Sequence, residues 1–108
     1  MPPSKIDLSS HTTDATNTIN AALGFISDAQ KAQKAAADKC ARVLAPATLG
    51  ASEASSAKKI FEEVDAQQDA VVAAGLDPVK IFGGLLNHAG GLAQSAKNRL
   101  IDASAAAA

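Results

Sequence analysis

Residues 77–101 read DPVKIFGGLLNHAGGLAQSAKNRLI, and this stretch decides the fold class. Asp77 is placed to cap a helix, and Pro78 takes the first helical position, where its missing N–H costs nothing. Ile81, Phe82, Leu85, Leu86, Ala89, Leu92, Ala93 and Ala96 recur at helical spacing and form one apolar arc. Lys97 and Arg99 stand near the C-terminal end, the favourable end for cations. The spacing predicts a helix over 78–103.

The same stretch carries two Gly-Gly doublets, Gly83-Gly84 and Gly90-Gly91. Each glycine inside a helix costs about 0.8–1 kcal/mol against alanine, so four of them call for a use. Gly83 and Gly90 border the apolar arc, and a glycine at position 90 would admit the ring of Phe61. Gly84 and Gly91 lie on the back, away from the bundle. Three uses compete there: close approach by a helix of another chain, a kink that splits the helix in two, and a tolerated solvent face.

Working outward, residues 52–74 give a second amphipathic pattern. Ala57, Ile60, Phe61, Val64, Val71 and Val72 form its stripe, and Gly75 is suited to the residue just past its end. Residues 14–45 give a third, capped by Thr13 or Asp14, with Lys31, Lys34, Asp38, Lys39 and Arg42 among its solvated residues. Pro46 is expected to end that helix, and 46–50 to form the turn. Residues 1–13 are polar, hold two prolines, and read as a flexible arm before a single helical domain over 14–108. Short connections make consecutive helices antiparallel neighbours. The predicted architecture is an all-α, up-down-up three-helix bundle, or four helices if the last breaks at a glycine pair.

The chain of 108 residues has no Trp or Tyr and three Phe, so its core is expected to be thin. Its net charge of −1, without a basic stripe, argues against nucleic acid as a partner. A single cysteine, Cys40, precludes an internal disulfide and reads as a buried thiol. No apolar run reaches transmembrane length and no secretory signal opens the chain, which points to the cytoplasm with signal-independent export left open.

Catalytic signatures are absent from the sequence. His11 and His88 lack metal-ligand spacing with any neighbour, and the glycines match no phosphate loop, so no cofactor and no metal are expected. Folding about the expected turns brings Gln30, Gln33, Gln67, Gln68, Asn87 and His88 to one level, as a polar layer within the bundle. The functional expectation is a non-enzymatic helical interaction or assembly subunit, with a protein partner or a homo-oligomer. Gly84, Gly91, Asn87, His88, Gln30 and Gln68 are its candidate contact residues. Two alternatives are a carrier of a small apolar, lipid-like ligand between the helices, and an inhibitor or immunity-type bundle binding a basic protein. No motif places the chain in a family.

Overall fold

The computed structural model describes residues 4–33 and 36–108. The protein is an all-α bundle of three helices: α1 (Ser9–Ala32), α2 (Ala37–Ala73) and α3 (Pro78–Ala107). They form a rod of 61 × 17 × 14 Å. At 1.5 Å per residue the helices measure about 36, 55 and 45 Å, so they cannot be coextensive. Counting back from the two connections, α1 runs beside the first part of α2 and α3 beside the last. Three helices overlap only in the middle of the rod, and two remain at each end.

The core follows a step of seven. Leu8, Ala15, Ala22 and Ala29 are buried from the α1 side, and Phe82, Ala89, Ala96 and Ala103 from α3. In α2, Cys40, Ala47, Ala54, Phe61 and Gln68 repeat in one register, and Val43, Gly50, Ala57 and Val64 in another. A strict seven-residue repeat is the signature of coiled-coil packing. It also explains the residue sizes. Where three helices meet, the buried side chains are almost all alanine, which lets the backbones approach closely. Where two helices meet, larger groups fill the space. Leu8, Phe61, Val64 and Phe82 form one cluster, and Cys40 and Val43, joined by Phe25 and Ile26, mark the other. One glycine is required by this packing. A Cβ on Gly50 would lie 3.1 Å from Arg99 Cβ and 3.2 Å from the Ala96 carbonyl oxygen.

The turn between the first two helices is not at 46–50. The chain leaves α1 after Ala32 and enters α2 at Ala37, with Ala36 at φ −151°. Pro46 sits within α2. A proline inside a helix forfeits a hydrogen bond and costs about 3 kcal/mol. A break at 46–50 would cost more, because it would expose Ala47 and unseat Gly50, both buried in the core. Packing therefore overrides the local signal. Lys34, which was placed on the solvated face of helix one, lies outside the described residues.

The other end of α2 is as expected. Gly75 adopts φ 78°, its N–H donates to the Val72 carbonyl at 2.9 Å, and Leu76 N–H to the Val71 carbonyl at 3.0 Å. This pair of bonds is a Schellman closure, which needs the left-handed conformation that glycine supplies. Asp77 then caps α3, its carboxylate accepting from Val79 N–H at 3.0 Å. The third helix is continuous through both glycine pairs, so there is no fourth helix among the described residues.

The helix expected to start at Thr13 or Asp14 begins at Ser9. Asp7 is what holds its first turn: one carboxylate oxygen accepts from the Ser9 hydroxyl at 2.6 Å and the Ser9 N–H at 3.0 Å. Thr12, Thr16 and Thr18 return their hydroxyls to carbonyls four residues back, and Asp14 pairs with Lys97 of α3 at 2.8 Å. The non-helical arm is thus shorter than 1–13, of which Met1–Pro3 lie outside the described residues.

Candidate functional site

Six residues of α3 share one outward face: Ile81, Gly84, Leu85, His88, Gly91 and Leu92. Their spacing of i, i+3, i+4, i+7, i+10 and i+11 is that of a single helical stripe. Leu92 leans onto the core cluster. The other five lie outside it, with Ile81 and Leu85 each 51 % exposed. A Cβ built on Gly84 or Gly91 would meet nothing within 4 Å. The stripe therefore combines two half-exposed branched side chains with two gaps where a neighbour could reach the backbone.

The glycines that border the apolar arc are no different. Gly83 and Gly90 also have nothing within 4 Å of a Cβ. Gly90 does not make room for Phe61, whose ring lies instead against His11, 4.9 Å away between centroids and inclined by 15°. His11 was assigned to the arm but belongs to α1. Ile81 and Leu85 were assigned to the bundle's interior. The buried arc of α3 is narrower than a wheel drawn at 100° per residue suggests, because alanines at every seventh position carry it.

The expected polar layer does not form. Gln30 and Gln33 stand at the α1–α2 end, whereas Gln68 lies near the opposite end, about 44 Å away along α2. The misplaced turn is the cause, since it shifts every level of α1 against α2. Gln30, Gln67, Asn87 and His88 are exposed. Cys40 and His88 lie about 35 Å apart along the rod. Cys40 is buried, as expected.

Gln68 is the exception, fully buried and fully bonded. Its Oε1 accepts from Ile6 N–H at 2.7 Å, and its Nε2 donates to the Ile6 carbonyl at 2.9 Å and to Asp65 Oδ1 at 3.0 Å. The side-chain amide thus pairs with both backbone groups of one residue, Ile6, as a neighbouring strand would. Ile6 packs on the core, Leu8 is buried in it, and Lys5 pairs with Asp69. The hydrogen bond to Asp69, then the charge of that carboxylate, raise the Lys5 ammonium above its ordinary value. The Ser9 hydroxyl and N–H hold the Asp7 carboxyl below the usual carboxylate range. Gln68 is accordingly a structural clip for the arm.

A cleft of about 420 Å³ opens at the other end of the rod, between α1 and α2 and beside Ala107 of α3. Phe25, Ala29, Ala32, Ala36, Cys40 and Val43 supply its apolar wall, and Asp28 and Lys39 also border it. Among the described residues, no three His, Cys, Asp or Glu side chains are grouped to hold a metal, and no helix is long and apolar enough to cross a membrane. No protein-family model matches this chain, and neither does any curated protein or solved structure.

Proposed function

We propose that the protein is a helical assembly subunit, and that the Ile81–Leu92 stripe of α3 receives a helix from a second copy. The observation that carries this is that Gly84 and Gly91, open like Gly83 and Gly90, stand in phase with the half-exposed Ile81 and Leu85 on one outward stripe, at a cost of about 0.8–1 kcal/mol each against alanine. Flanked by Ile81 and Leu85, they have the form of a close helix–helix contact, in which small residues let one backbone approach another. A two-fold axis passing between residues 87 and 88 sets Gly84 of one copy against Gly91 of the other. Such a pairing is isologous and stops at two chains.

Burying the exposed halves of Ile81 and Leu85 on both copies is worth about 3–6 kcal/mol. Set against the translational and rotational cost of association, that gain supports only a weak pair, with Kd on the order of 1 mM or above. Sedimentation equilibrium across that range tests it. The wild-type chain should pass from the 10.8 kDa mass of one copy toward twice that value. Gly84→Leu with Gly91→Leu should stay at one copy, because the new side chains fill the gaps and hold the partner away. Wild-type chain that remains a strict monomer at the highest concentration would refute the self-pairing.

A further inference from the structure

One register of the α2 core runs Cys40, Ala47, Ala54, Phe61 and then Gln68. An amide at a core position costs free energy unless it is hydrogen-bonded. Gln68 is bonded chiefly to backbone: its Oε1 accepts from the Ile6 N–H and its Nε2 donates to the Ile6 carbonyl. A helix could not make that contact, because its interior N–H and carbonyl groups are bonded to one another. An extended segment can, since it presents both groups of one residue to the same side, as between paired strands. Gln68 therefore selects extended chain, and it does so through groups that every residue but proline carries.

The groove around Gln68 adds a short sequence rule. It lies between α2 and α3 where α1 has ended, on Ala57, Phe61, Val64, Phe82 and Ala89. Residues two apart in an extended segment share a face. Ile6 and Leu8 are such a pair, both packed on this cluster, and Leu8 is fully buried. Lys5 meets Asp69, and Asp65, which Gln68 also bonds, adds a second negative charge beside it. Asp7 turns back to Ser9, within the arm, so the groove sets no requirement at that position. The site thus reads a cation, an apolar residue, any residue and an apolar residue, in extended form.

The arm is held in a way that permits exchange. Residues 4–8 form neither helix nor strand, and α1 begins only at Ser9, so the arm can leave without unwinding a helix. Its ion pair is exposed on both sides and contributes little. The remaining hold is two backbone hydrogen bonds and two apolar side chains, which any segment obeying the rule would reproduce.

We propose that the α2–α3 groove docks an extended segment of a partner protein, with a lysine or arginine followed by apolar, any and apolar residues. Residues 5–8 occupy the groove until such a segment displaces them, which makes the arm an autoinhibitory strap. Attachment to the chain gives the arm an effective concentration on the order of millimolar, which a partner exceeds by adding contacts outside the groove. The proposal does not rest on the lateral pairing and does not use Gly84 or Gly91.

The probe is the peptide of residues 4–9, SKIDLS, acetylated so that no free amine stands in for Lys5. One receptor is the full chain with Ile6→Glu and Leu8→Glu, which disables its own arm. Circular dichroism checks that its helices are retained, and if they are not, Ile6→Glu alone, which keeps Leu8, takes its place. The other receptor is the wild-type chain. Nuclear magnetic resonance follows isotope-labelled chain at micromolar concentration, far below the range of lateral pairing. The peptide should shift the Gln68 side-chain amide signals of the arm-disabled chain, with Kd on the order of 1 mM. The wild-type chain should need about tenfold more peptide, and protection of its Ile6 amide should fall as the arm is displaced. Methylating the Ile6 nitrogen of the peptide removes one donor and should weaken binding roughly tenfold. Lys5→Glu in the peptide should weaken it only roughly threefold, because that pair is exposed. Gln68→Leu in the arm-disabled chain should weaken it roughly tenfold or more.

A folded, arm-disabled chain whose Gln68 signals stay fixed up to about 10 mM peptide would overturn the proposal. So would binding indifferent to the methyl group or to Gln68→Leu, which is apolar adhesion and not backbone recognition. A wild-type Ile6 amide that stays protected at tenfold the peptide needed by the arm-disabled chain would make the arm a permanent part of the fold. Arms exchanged between copies, seen as a pair that Gln68→Leu abolishes and Gly84→Leu with Gly91→Leu leaves intact, would assign the groove to a second copy and overturn the partner reading as well.

Discussion

Replacing Gln68 by leucine should release the N-terminal arm. Leucine fills a similar space but can make none of the three hydrogen bonds of the glutamine amide. The two bonds to the Ile6 N–H and carbonyl contribute about 0.5–1.5 kcal/mol each in net terms, or about 1–3 kcal/mol together. If the arm stayed docked, its N–H and carbonyl would lose their partners at about 1–3 kcal/mol each, so undocking is the cheaper response. Undocking forfeits the partial burial of Ile6, about 1 kcal/mol, and the added apolar burial of leucine offsets a similar amount. The net loss is therefore about 1–3 kcal/mol. For a chain of this size that lowers Tm by about 4–12 °C.

Urea unfolding followed by circular dichroism measures the loss, and hydrogen exchange at the Ile6 amide reports whether the arm has left. Deleting residues 1–6 should cost about as much as Gln68→Leu, and the two changes together little more than either, because both remove the same docking. Losses that add, or a Gln68→Leu protein within about 0.5 kcal/mol of wild type and still protected at Ile6, would refute the reasoning.

One substitution should have opposite signs at two places. Gly90→Ala enters open space within α3 and should stabilise by about 0.8–1 kcal/mol. Gly50→Ala gains the same propensity but sets a methyl 3.1–3.2 Å from α3, at an overpacking cost of about 1–3 kcal/mol, so thermal unfolding should show no gain or a net loss. Acid should loosen the start of α1. The folded-state pKa of Asp7 is depressed, so its contribution is present above the unfolded value and is lost as pH falls through the folded one. Protection of the Ser9 amide, after allowance for the intrinsic pH dependence of exchange, should therefore fall below about pH 4, while Asp7→Asn should show the weaker protection already at neutral pH.

What could be read from the sequence was set by the strength of local chemistry. Asp77-Pro78 and Gly75 are residues whose backbone roles few others can fill, and both ends of the α2–α3 connection lie where those roles put them. The α1–α2 connection carries no such mark. Gln33–Ala36 has neither glycine nor proline, while Pro46, the strongest breaker nearby, is overruled by the alanines and Gly50 packed around it. That one displacement carried Gln30 away from Gln68 and dissolved the expected polar layer. The seven-residue step of the core was present in the sequence all along, but alanine supplies most of it, and hydrophobicity alone does not separate a core alanine from a surface one. The Gln68 clip could not have been found from spacing, since it joins residues 62 positions apart. The outward phase of Gly84 and Gly91 on α3, in contrast, was legible in the sequence, whereas Gly83 and Gly90, expected to border the core, are equally open.

The Gly84–Gly91 face of α3 is proposed above as an interface between copies. Sedimentation equilibrium of the wild-type chain tests it most directly. The mass should rise with concentration and level off at two copies, and should stay at one copy when Gly84→Leu and Gly91→Leu are added. A mass fixed at 10.8 kDa across the whole range, or a pair that forms equally well with both leucines in place, would contradict it.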